Sequence, residues 1–588
     1  MVDEGVELEI RAALLGAFPS WGYLGEELGG VAGRDPEGHV WVVDPQDGTA
    51  AGLRGWRGGS VAIGLVRAGV PVLGVVLVYA PTGGVPELIA WAEGCGPIAR
   101  NGVAFEREAF VGALRGEHAI AVSQAADRSE ASSRANAELC QPARFWPLAS
   151  LAQRLARVAL GEVEAAVALH GPSAWDFAAG HALVRAVGGE LVDEAGALVR
   201  YDSEGRARVG RCFAGGLAVV RELAGRDWAR VHGGGDEAVE PVLGLRQPLP
   251  GVVVADAGPL GRARGCWFGQ LGGDALGSLV EFQRADAIAG RYPQGVRRLA
   301  DGGAFDTLAG QPTDDSELAL MLARALLVEG GFDDEATARA YASWYDSRPF
   351  DMGGTTAAAL RPASEALHGG ASVARAAWAG AAQSMASQAN GALMRVSPLG
   401  IFGWRLPELE LAALARRDAA LTHPNPICLD ANALYVVTIA HAIAEGPSPQ
   451  GLYEFATGFA TRAGLHADVV ECLREAGEGP PPEFQAQMGW LRIALRNAFF
   501  QLVHASDFEA GVVDTVMRGG DTDTNAAIAG ALLGAVHGCD AIPRQWRERV
   551  VTCRPIAGLA GVRQARPRAF WPVDAELVAE QLLALGDA

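Results

Sequence analysis

The chain has 588 residues, a formal net charge of −20, 49% hydrophobic residues and 20% charged residues. This length predicts at least two domains, and the composition excludes a disordered chain. All 49 basic residues are arginine, which excludes a P-loop lysine and Schiff-base chemistry, and the acidic balance argues against binding to a nucleic-acid backbone.

The cysteines and the apolar segments predict a compartment. The eight cysteines are scattered without a Cys-x-x-Cys pair, which favours reduced thiols over a zinc ribbon or a disulfide framework. The first residues are acidic and show no signal-peptide pattern. The apolar stretch 70–80 contains Pro71 and Gly74 and is shorter than the ~20 residues that a membrane helix needs. We therefore expect a cytoplasmic protein without a membrane partner, either a monomer or a homodimer.

The amino-terminal region alternates between strand and helix patterns. Residues 39–43 alternate in polarity and predict a strand. Residues 60–66 and 70–79 predict a β-hairpin, and residues 175–188 predict a helix. This alternation predicts a layered α/β domain.

Four carboxylates stand at element ends in this region. Asp44 and Asp47 follow the first predicted strand, Glu26 lies upstream in a Gly-Glu-Glu segment, and Asp176 falls in the first turn of the predicted helix. Taken singly, an Asp-Gly pair is typical of a turn and a Trp-Asp pair of a helix cap.

Together these segments resemble the inositol monophosphatase-like superfamily of magnesium-dependent phosphatases over about residues 1–225. The resemblance implies an αβαβα layered fold, two or three Mg²⁺ ions, and an attacking water activated with the help of Thr49 and Asp47. The metal ligands that it implies are Glu26, Asp44, Asp47, Asp176, Asp3 and the carbonyl of Gln46.

The sequence departs from this family at three places. Relatives carry a helix before the segment matched to residues 2–7, so we expect either that the true amino terminus lies upstream or that the domain is short at this end. Leu169 stands where inositol-specific members have a substrate-binding Glu, and Ala149-Ser150 replaces Gly-Ser. We therefore expect a small sugar or nucleotide phosphate as the substrate. Residues 226–258 are rich in Gly and Pro and predict a linker.

The region 259–588 predicts an all-α domain, because Ala- and Leu-rich runs recur with short connections. Gly269, Gly273 and Gly277 fall four apart on one helix face, which predicts close helix packing, and Asp274 between them is interpreted as part of that packing. The predicted helical runs are 317–329, 335–346, 373–387, 409–419, 430–445, 451–461, 486–503, 525–537 and 573–585.

Two of these runs begin with dense acidic clusters. Thr313-Asp314-Asp315-Ser316-Glu317 precedes one run, and Asp521-Thr522-Asp523-Thr524 precedes another. A single helix cap needs one such side chain, although Asp314 and Glu317 have capping-box spacing. Crowded carboxylates need a compensating charge, and a hard divalent cation prefers such oxygens. The clusters therefore predict one site with two metals about 3.5–4 Å apart.

These clusters, with the segments 265–281, 390–400 and 422–424, resemble the ADP-ribosylglycohydrolase family over about residues 259–588. The resemblance implies cleavage of the ribose C1″ bond of ADP-ribosylated proteins or small molecules, with Mg²⁺ or Mn²⁺ as cofactor and catalytic roles for Asp351 and Asp315. The metal ligands that it implies are Thr313, Asp314, Asp315, Asp521, Asp523, Thr524 and Glu281. The substrate-binding residues that it implies are Asn390, Gly391, Met394 and His423.

Three hypotheses remain open on the sequence alone. The chain is a bifunctional hydrolase and phosphatase, a hydrolase with a catalytically inactive phosphatase-like module, or a non-enzymatic protein that binds ADP-ribose or serves a structural role.

Overall fold

The computed structural model describes residues 2–53, 57–79, 86–231, 254 and 256–587. Contacts divide the chain into two compact units, Met1–Glu240 and Pro241–Ala588. The amino-terminal boundary of the predicted linker lies within folded structure, since Trp228 is fully buried and its indole nitrogen donates to the Leu223 carbonyl at 2.7 Å. Most of the rest of that linker falls outside the described residues.

The first unit is a layered α/β domain, as predicted. Its first sheet has the order β2-β1-β3-β4-β5-β6-β7-β8, and its second has the order β10-β9-β11-β13-β12. The strands are β1 (Gly22–Gly25), β2 (Gly29–Val31), β3 (His39–Asp47), β4 (Ser60–Arg67), β5 (Val70–Val78), β6 (Glu87–Ala92), β7 (Ile98–Arg100), β8 (Val103–Phe105), β9 (Ala119–Ser123), β10 (Arg144–Leu148), β11 (Ala165–Ala168), β12 (Glu190–Asp193) and β13 (Cys212–Gly215). The helices are α1 (Val2–Ala17), α2 (Thr49–Gly52), α3 (Glu130–Cys140), α4 (Leu151–Ala159), α5 (Ala174–Ala186) and α6 (Leu217–Ala224).

The predicted hairpin forms from β4 and β5, which pair antiparallel around Ala68 and Gly69. The strand predicted over residues 39–43 is longer than expected. It continues as β3 to Asp47, and its register with β4 shifts between Asp44 and Asp47. A bulge of this kind redirects side chains at the end of a strand. The turn predicted to present both acids is therefore an irregular strand end.

Helix α5 packs closely on the first sheet because two strand residues have no side chain. A Cβ placed on Gly74 would lie 2.1 Å from the Ala179 carbonyl oxygen, and one on Gly64 would lie 2.9 Å from the Ala179 nitrogen. This approach fixes where the amino terminus of α5, with Asp176, meets the sheet.

The second unit is helical in its described residues. The predicted run 486–503 begins only at residue 491, and the run 373–387 ends as an α-helix at residue 381. The helices are α7 (Ala257–Gly277), α8 (Ala285–Arg291), α9 (Asp314–Glu329), α10 (Asp334–Asp346), α11 (Gly354–Gly369), α12 (Val373–Ala381), α13 (Ser397–Phe402), α14 (Glu408–Ala420), α15 (Pro426–Glu445), α16 (Pro449–Arg462), α17 (Ala467–Glu478), α18 (Leu491–His504), α19 (Phe508–Met517), α20 (Thr522–His537), α21 (Arg544–Val551) and α22 (Ala575–Leu585).

Helices α7 and α20 pack antiparallel along the predicted glycine face. A Cβ on Gly269 would lie 2.1 Å from the Gly530 carbonyl oxygen, and one on Gly273 would lie 2.2 Å from that of Ala526. Only glycine permits such an approach of two backbones. The contact places the carboxyl end of α7 beside the amino end of α20.

Among the described helices, α15 has the length and apolar composition of a membrane span. The sequence predicted most of α15 as the helical run 430–445, but it indicated residues 70–80 as the most apolar stretch. Most of its apolar window is buried within the protein, as expected for a core helix.

Candidate metal centres

The helix ends of the second unit bring five carboxylates together. Carboxylate oxygens of Asp274, Asp315 and Asp523 all lie within 4.8 Å of one another, and so do those of Glu281, Asp521 and Asp523. Asp315 and Asp523 lie in the first turns of α9 and α20, and Asp521 is the N-cap residue of α20. The positive ends of two helix dipoles therefore face one acidic cluster.

Asp274 belongs to this cluster and is not merely part of a packing face. Its carboxylate accepts hydrogen bonds from the Thr313 hydroxyl at 2.8 Å, from the Thr313 amide at 3.1 Å and from the Ser316 amide at 3.2 Å. It thereby caps α9 from another helix. The sequence interpretation missed this role, although the position of Asp274 on the face that contacts α20 was a usable signal.

Glu317 does not form the capping box that its spacing suggested. Its carboxylate accepts from the Arg566 guanidinium at 2.7 and 2.8 Å and from the Trp344 indole at 2.8 Å. Glu317 is buried, and the Arg566 guanidinium compensates the charge of its carboxylate. It anchors α9 and leaves the first turn of that helix to the acidic cluster.

Thr313, Thr524 and Asn390 supply hydrogen bonds within the cluster. The Thr313 hydroxyl reaches Asp315 Oδ2 at 3.0 Å, and Asn390 Nδ2 donates to Asp521 Oδ2 at 2.7 Å. Hydrogen bonding from the Thr524 side chain lowers the pKa of Asp315 and Asp521, against the larger effect of burial, which raises both. Asn390, predicted to bind substrate, thus holds a carboxylate in place.

The other residues predicted to bind substrate lie behind Asn390. Gly391 faces His423, because a Cβ on this glycine would lie 3.0 Å from His423 Cε1. The Nδ1 of His423 is 2.8 Å from the Thr422 hydroxyl, and burial lowers the pKa of His423 to about 3. Met394 is almost fully buried in a short 3₁₀ turn.

Asp351 and Glu281 lie at the edge of the cluster, outside the helices. Burial, followed by the Asp351 charge, raises the pKa of Glu281 to about 9. Burial also raises the pKa of Asp351, while a hydrogen bond with Asp314 opposes this shift. The pKa of Asp314 is itself raised by burial and by Asp351. Each of these groups is thus costly to ionise beside its neighbours.

The donor set fits divalent cations. Burial and neighbouring carboxylates raise the pKa values of Asp315 and Asp523 well above the ordinary value, so the metal-free cluster resists full ionisation. Asp315 Oδ1 and Glu281 Oε2 are buried without a hydrogen-bond partner. Unpartnered buried carboxylate oxygens are unfavourable unless a cation binds them, and hard oxygen ligands suit Mg²⁺ and Mn²⁺.

The amino-terminal unit brings its predicted acids together at the end of β3. The carboxyl groups of Glu26 and Asp44 are within hydrogen-bonding reach. Burial, followed by Asp47, Glu26 and Asp176, raises the pKa of Asp44 to about 10. Burial, then Asp47, raises the pKa of Asp176 to about 7. Burial is the main cause that raises the pKa of Glu26, and Asp3 lies close enough for its charge to raise it further.

In this centre Asp44 and Asp47, on β3, and Asp176, on α5, each have one carboxylate oxygen that accepts hydrogen bonds from the protein. Asp47 Oδ2 accepts from the Ser150 hydroxyl at 2.6 Å and from the Ala152 amide at 2.5 Å. Asp44 Oδ1 accepts from the Gln46 amide at 2.8 Å, and Asp176 Oδ2 accepts from the Ser173 amide at 2.7 Å. The protein thus fixes the position of all three carboxylates.

Thr49 and Gln46 are joined in the turn that follows. The Thr49 hydroxyl donates to the Gln46 carbonyl oxygen at 2.7 Å. A carbonyl oxygen has a second lone pair, so this bond leaves the Gln46 carbonyl able to bind a cation. Sequence reasoning named both residues but not Ser150 as the partner of Asp47, because 103 positions separate Ser150 from that acid.

Comparison with known proteins identifies both units. A family model for ADP-ribosylglycohydrolase matches residues 255–570, and one for the inositol monophosphatase family matches residues 1–225. The ADP-ribosyl-[dinitrogen reductase] glycohydrolase of Rhodospirillum rubrum is 31% identical over 295 residues, which is 49% of this chain and 90% of that protein. Nus factor SuhB of Xylella fastidiosa is 34% identical over 230 residues, which is 38% of this chain and 78% of that protein.

The match to a solved structure, an ADP-ribosylglycohydrolase-related protein complex, covers 56% of this chain and 99% of the solved chain, at 28% identity and a TM-score of 0.45. The two matched families are metal-dependent, in agreement with the buried acidic clusters. The chain belongs to the ADP-ribosylglycohydrolase family and carries an inositol monophosphatase-family domain before it, which makes it a hydrolase.

Proposed function

We propose that the carboxy-terminal unit hydrolyses the N- or O-glycosidic bond at ribose C1″ of ADP-ribosylated substrates. The observation that carries this proposal is the buried cluster of Asp274, Asp315 and Asp523, with Asp521 and Glu281 beside it. Thr313, Asp314 and Thr524 complete the set of oxygen donors for two Mg²⁺ or Mn²⁺ ions. When bound, such ions neutralise the cluster and polarise substrate oxygens.

The side chains of the unit have distinct tasks in this proposal. Asp351, whose pKa burial raises, takes the proton from the attacking water, because a carboxylate with a raised pKa is a better base near neutral pH. Asn390 keeps Asp521 in place through its 2.7 Å hydrogen bond. Gly391 and Met394, in the same segment as Asn390, and the buried His423 that Gly391 contacts are assigned to support the wall of the ADP-ribose site.

The test is the release of free ADP-ribose from arginine-, serine- and O-acetyl-linked substrates, with Mg²⁺, with Mn²⁺ and with EDTA. We expect metal-dependent release from at least one linkage and its loss in Asp315→Asn. Asp286→Asn is a matched control, because Asp286 is exposed and forms an ion pair with the neighbouring, exposed Arg284. Full activity of Asp315→Asn in the presence of EDTA would rule out the proposal.

The amino-terminal unit favours a second activity, hydrolysis of a small sugar or nucleotide phosphate monoester. The supporting observation is that Asp44, Asp47 and Asp176 are each held by a backbone amide, and that Asp44 and Asp176 lie close enough to Asp47 for its charge to raise their pKa values. Glu26, Asp3 and the Gln46 carbonyl provide further oxygens for two or three Mg²⁺ ions. Thr49 and Asp47 are the groups proposed to orient and deprotonate the attacking water.

Phosphate release from a panel of sugar and nucleotide phosphates tests this activity. Wild-type turnover that Asp44→Asn abolishes, and that Glu37→Gln retains, supports a bifunctional enzyme; the Glu37 side chain is 70% exposed. Absence of turnover with every substrate would favour the hypothesis of an inactive module. A non-enzymatic role would require that the chain bind neither Mg²⁺ nor ADP-ribose, which calorimetry measures.

A further inference from the structure

Glu7 is a fully buried carboxylate that lies outside the proposed ligand sets. It projects from α1, and its exposed fraction is 0%. Its Oε2 accepts from the Glu27 amide at 2.7 Å, and its Oε1 accepts from the Leu28 amide at 3.1 Å. Both oxygens of one charged group are therefore occupied by backbone donors, an arrangement stronger than neutral hydrogen bonding.

The two amides belong to the turn between β1 and β2, immediately after Glu26. On its other side this turn is tied to β3, because the Glu26 amide donates to the Val43 carbonyl at 3.3 Å. Val43 directly precedes Asp44. The backbone of Glu26 is thus held between the strand that carries Asp44 and the carboxylate of Glu7.

Gly25 provides the space for this contact. A Cβ on Gly25 would lie 1.9 Å from Glu7 Oε1. No side chain larger than hydrogen therefore fits between the strand and the carboxylate. The approach of Glu7 to this backbone is close because the residue before Glu26 is glycine.

We propose that Glu7 is a positioning residue of the amino-terminal metal centre, which sets the place of Glu26 by clamping the turn that follows it. This proposal rests on the proposed role of Glu26 as a ligand. A glutamine would keep the shape of Glu7 but would present an amide NH₂ to one of the two backbone N–H groups, so one clamp contact would become a donor facing a donor. Outer partners of this kind tune metal affinity without touching the metal.

The experiment is Mg²⁺ binding by calorimetry to full-length protein in an Asp315→Asn/Asp523→Asn background, in which the other centre is disabled. We expect Glu7→Gln to weaken Mg²⁺ binding about 10–100-fold, the usual effect of losing an outer-shell partner. In phosphate release, the half-saturating Mg²⁺ concentration should rise by a similar factor, with kcat recovered at saturating Mg²⁺. Glu9→Gln, an exposed residue of the same helix, is the matched control.

A purely structural role gives a different result. It would lower the melting temperature of Glu7→Gln and leave the Mg²⁺ affinity unchanged, and that outcome would overturn the proposal. Gly25→Ala is the second variant, because its methyl group displaces the Glu7 carboxylate, and it should weaken Mg²⁺ binding in the same way. Loss of phosphate release in the wild-type chain would overturn the proposed phosphatase instead, since the binding measurement does not depend on turnover.

Discussion

The two acidic centres hold their carboxylates in different ways. In the amino-terminal centre, Asp44, Asp47 and Asp176 each give one oxygen to a backbone amide of the protein. In the carboxy-terminal centre, Asp315 and Glu281 each keep a buried oxygen without a partner. The first centre is therefore ordered by the protein itself, whereas the second depends more on the ions that it is proposed to bind.

The difference follows from the elements that carry the acids. At the amino-terminal centre, the irregular end of β3 supplies the Gln46 amide, and the amino ends of α4 and α5 supply the Ala152 and Ser173 amides. In contrast, the carboxy-terminal acids converge from the ends of α7, α9 and α20. Backbone N–H groups there donate to Asp274, from Thr313 and Ser316, and to Asp523, from Thr524, while Asp315 Oδ1 and Glu281 Oε2 have no partner.

The largest expected effect is the separate inactivation of the two centres. Asp523→Asn should reduce ADP-ribose release by about a thousandfold or more, because losing a metal ligand removes several kcal/mol of transition-state stabilisation. Phosphate release should be retained in that variant. Asp47→Asn should show the reverse pattern. Steady-state assays of both reactions on each variant decide the matter, and a variant that loses both activities while still folded would contradict two independent centres.

The helix contact behind the carboxy-terminal centre should be the next most sensitive feature. Gly269→Ala places a methyl group 2.1 Å from the Gly530 carbonyl oxygen, so α7 and α20 must separate. Overpacking of this kind costs about 1–3 kcal/mol or more. Gly261→Ala in the same helix meets nothing within 4 Å and should be neutral or slightly stabilising. Chemical unfolding of both variants measures this, and equal stability would refute the close contact.

A smaller effect is expected where only one of the two hydrogen bonds to Asp47 Oδ2 is removed. Ser150→Ala removes the 2.6 Å hydrogen bond to Asp47 but leaves the Ala152 amide in place. We expect Mg²⁺ affinity at the amino-terminal centre to fall by about tenfold, with ADP-ribose release unchanged. Titration of phosphate release with Mg²⁺ measures the shift. An unchanged titration curve would show that the backbone donors suffice.

The smallest predicted effect concerns pH. The pKa of Asp176 is raised to about 7 and that of Glu281 to about 9, mainly by burial. Above the ordinary carboxyl pKa, the metal-free folded chain therefore binds protons that the unfolded chain has released, and its stability falls as pH rises towards the raised values. With EDTA, melting should occur a few degrees lower at about pH 8 than at about pH 5.

Bound metal displaces these protons and should reverse the trend. Mg²⁺ should therefore raise the melting temperature more at the higher pH. Because the carboxy-terminal centre has unpartnered oxygens, we expect its unfolding transition to move more than that of the amino-terminal unit. Calorimetric scans with and without Mg²⁺ measure both shifts, and a metal-free chain that is more stable at the higher pH would contradict the pKa directions.

Local patterns predicted much of this architecture. The hairpin of β4 and β5, the helix that begins before Asp176, and the glycine face of α7 are all present as expected. These features depend on residues close together in the chain, where the period of apolar residues and the identity of glycine suffice. Helix boundaries were less accurate, as at residue 491, since the preceding segment contributes to a bridge between Ala389 and Trp490 instead.

The roles of individual polar residues were harder to predict. Glu317 had the spacing of a capping box. In the structure it forms an ion pair with Arg566, distant in sequence, at 2.7 Å. Asn390 donates a hydrogen bond to Asp521 that the sequence did not predict, and its binding of substrate stays a prediction. Asp274 was assigned to packing and lies within the acidic cluster. In each case the partner is far away along the chain, so spacing alone could not identify it.

The sequence by itself indicated most of the candidate cation ligands, although not Asp274, because carboxylates and hydroxyls crowded at helix starts and strand ends need a compensating charge wherever the chain folds. Only the tertiary structure decided which carboxylate oxygens remain free. That depends on donors from distant elements, such as Ser150 for Asp47 and the Glu27 amide for Glu7. A hydrogen bond requires a distance near 3 Å and a defined angle, and only packing brings such groups together.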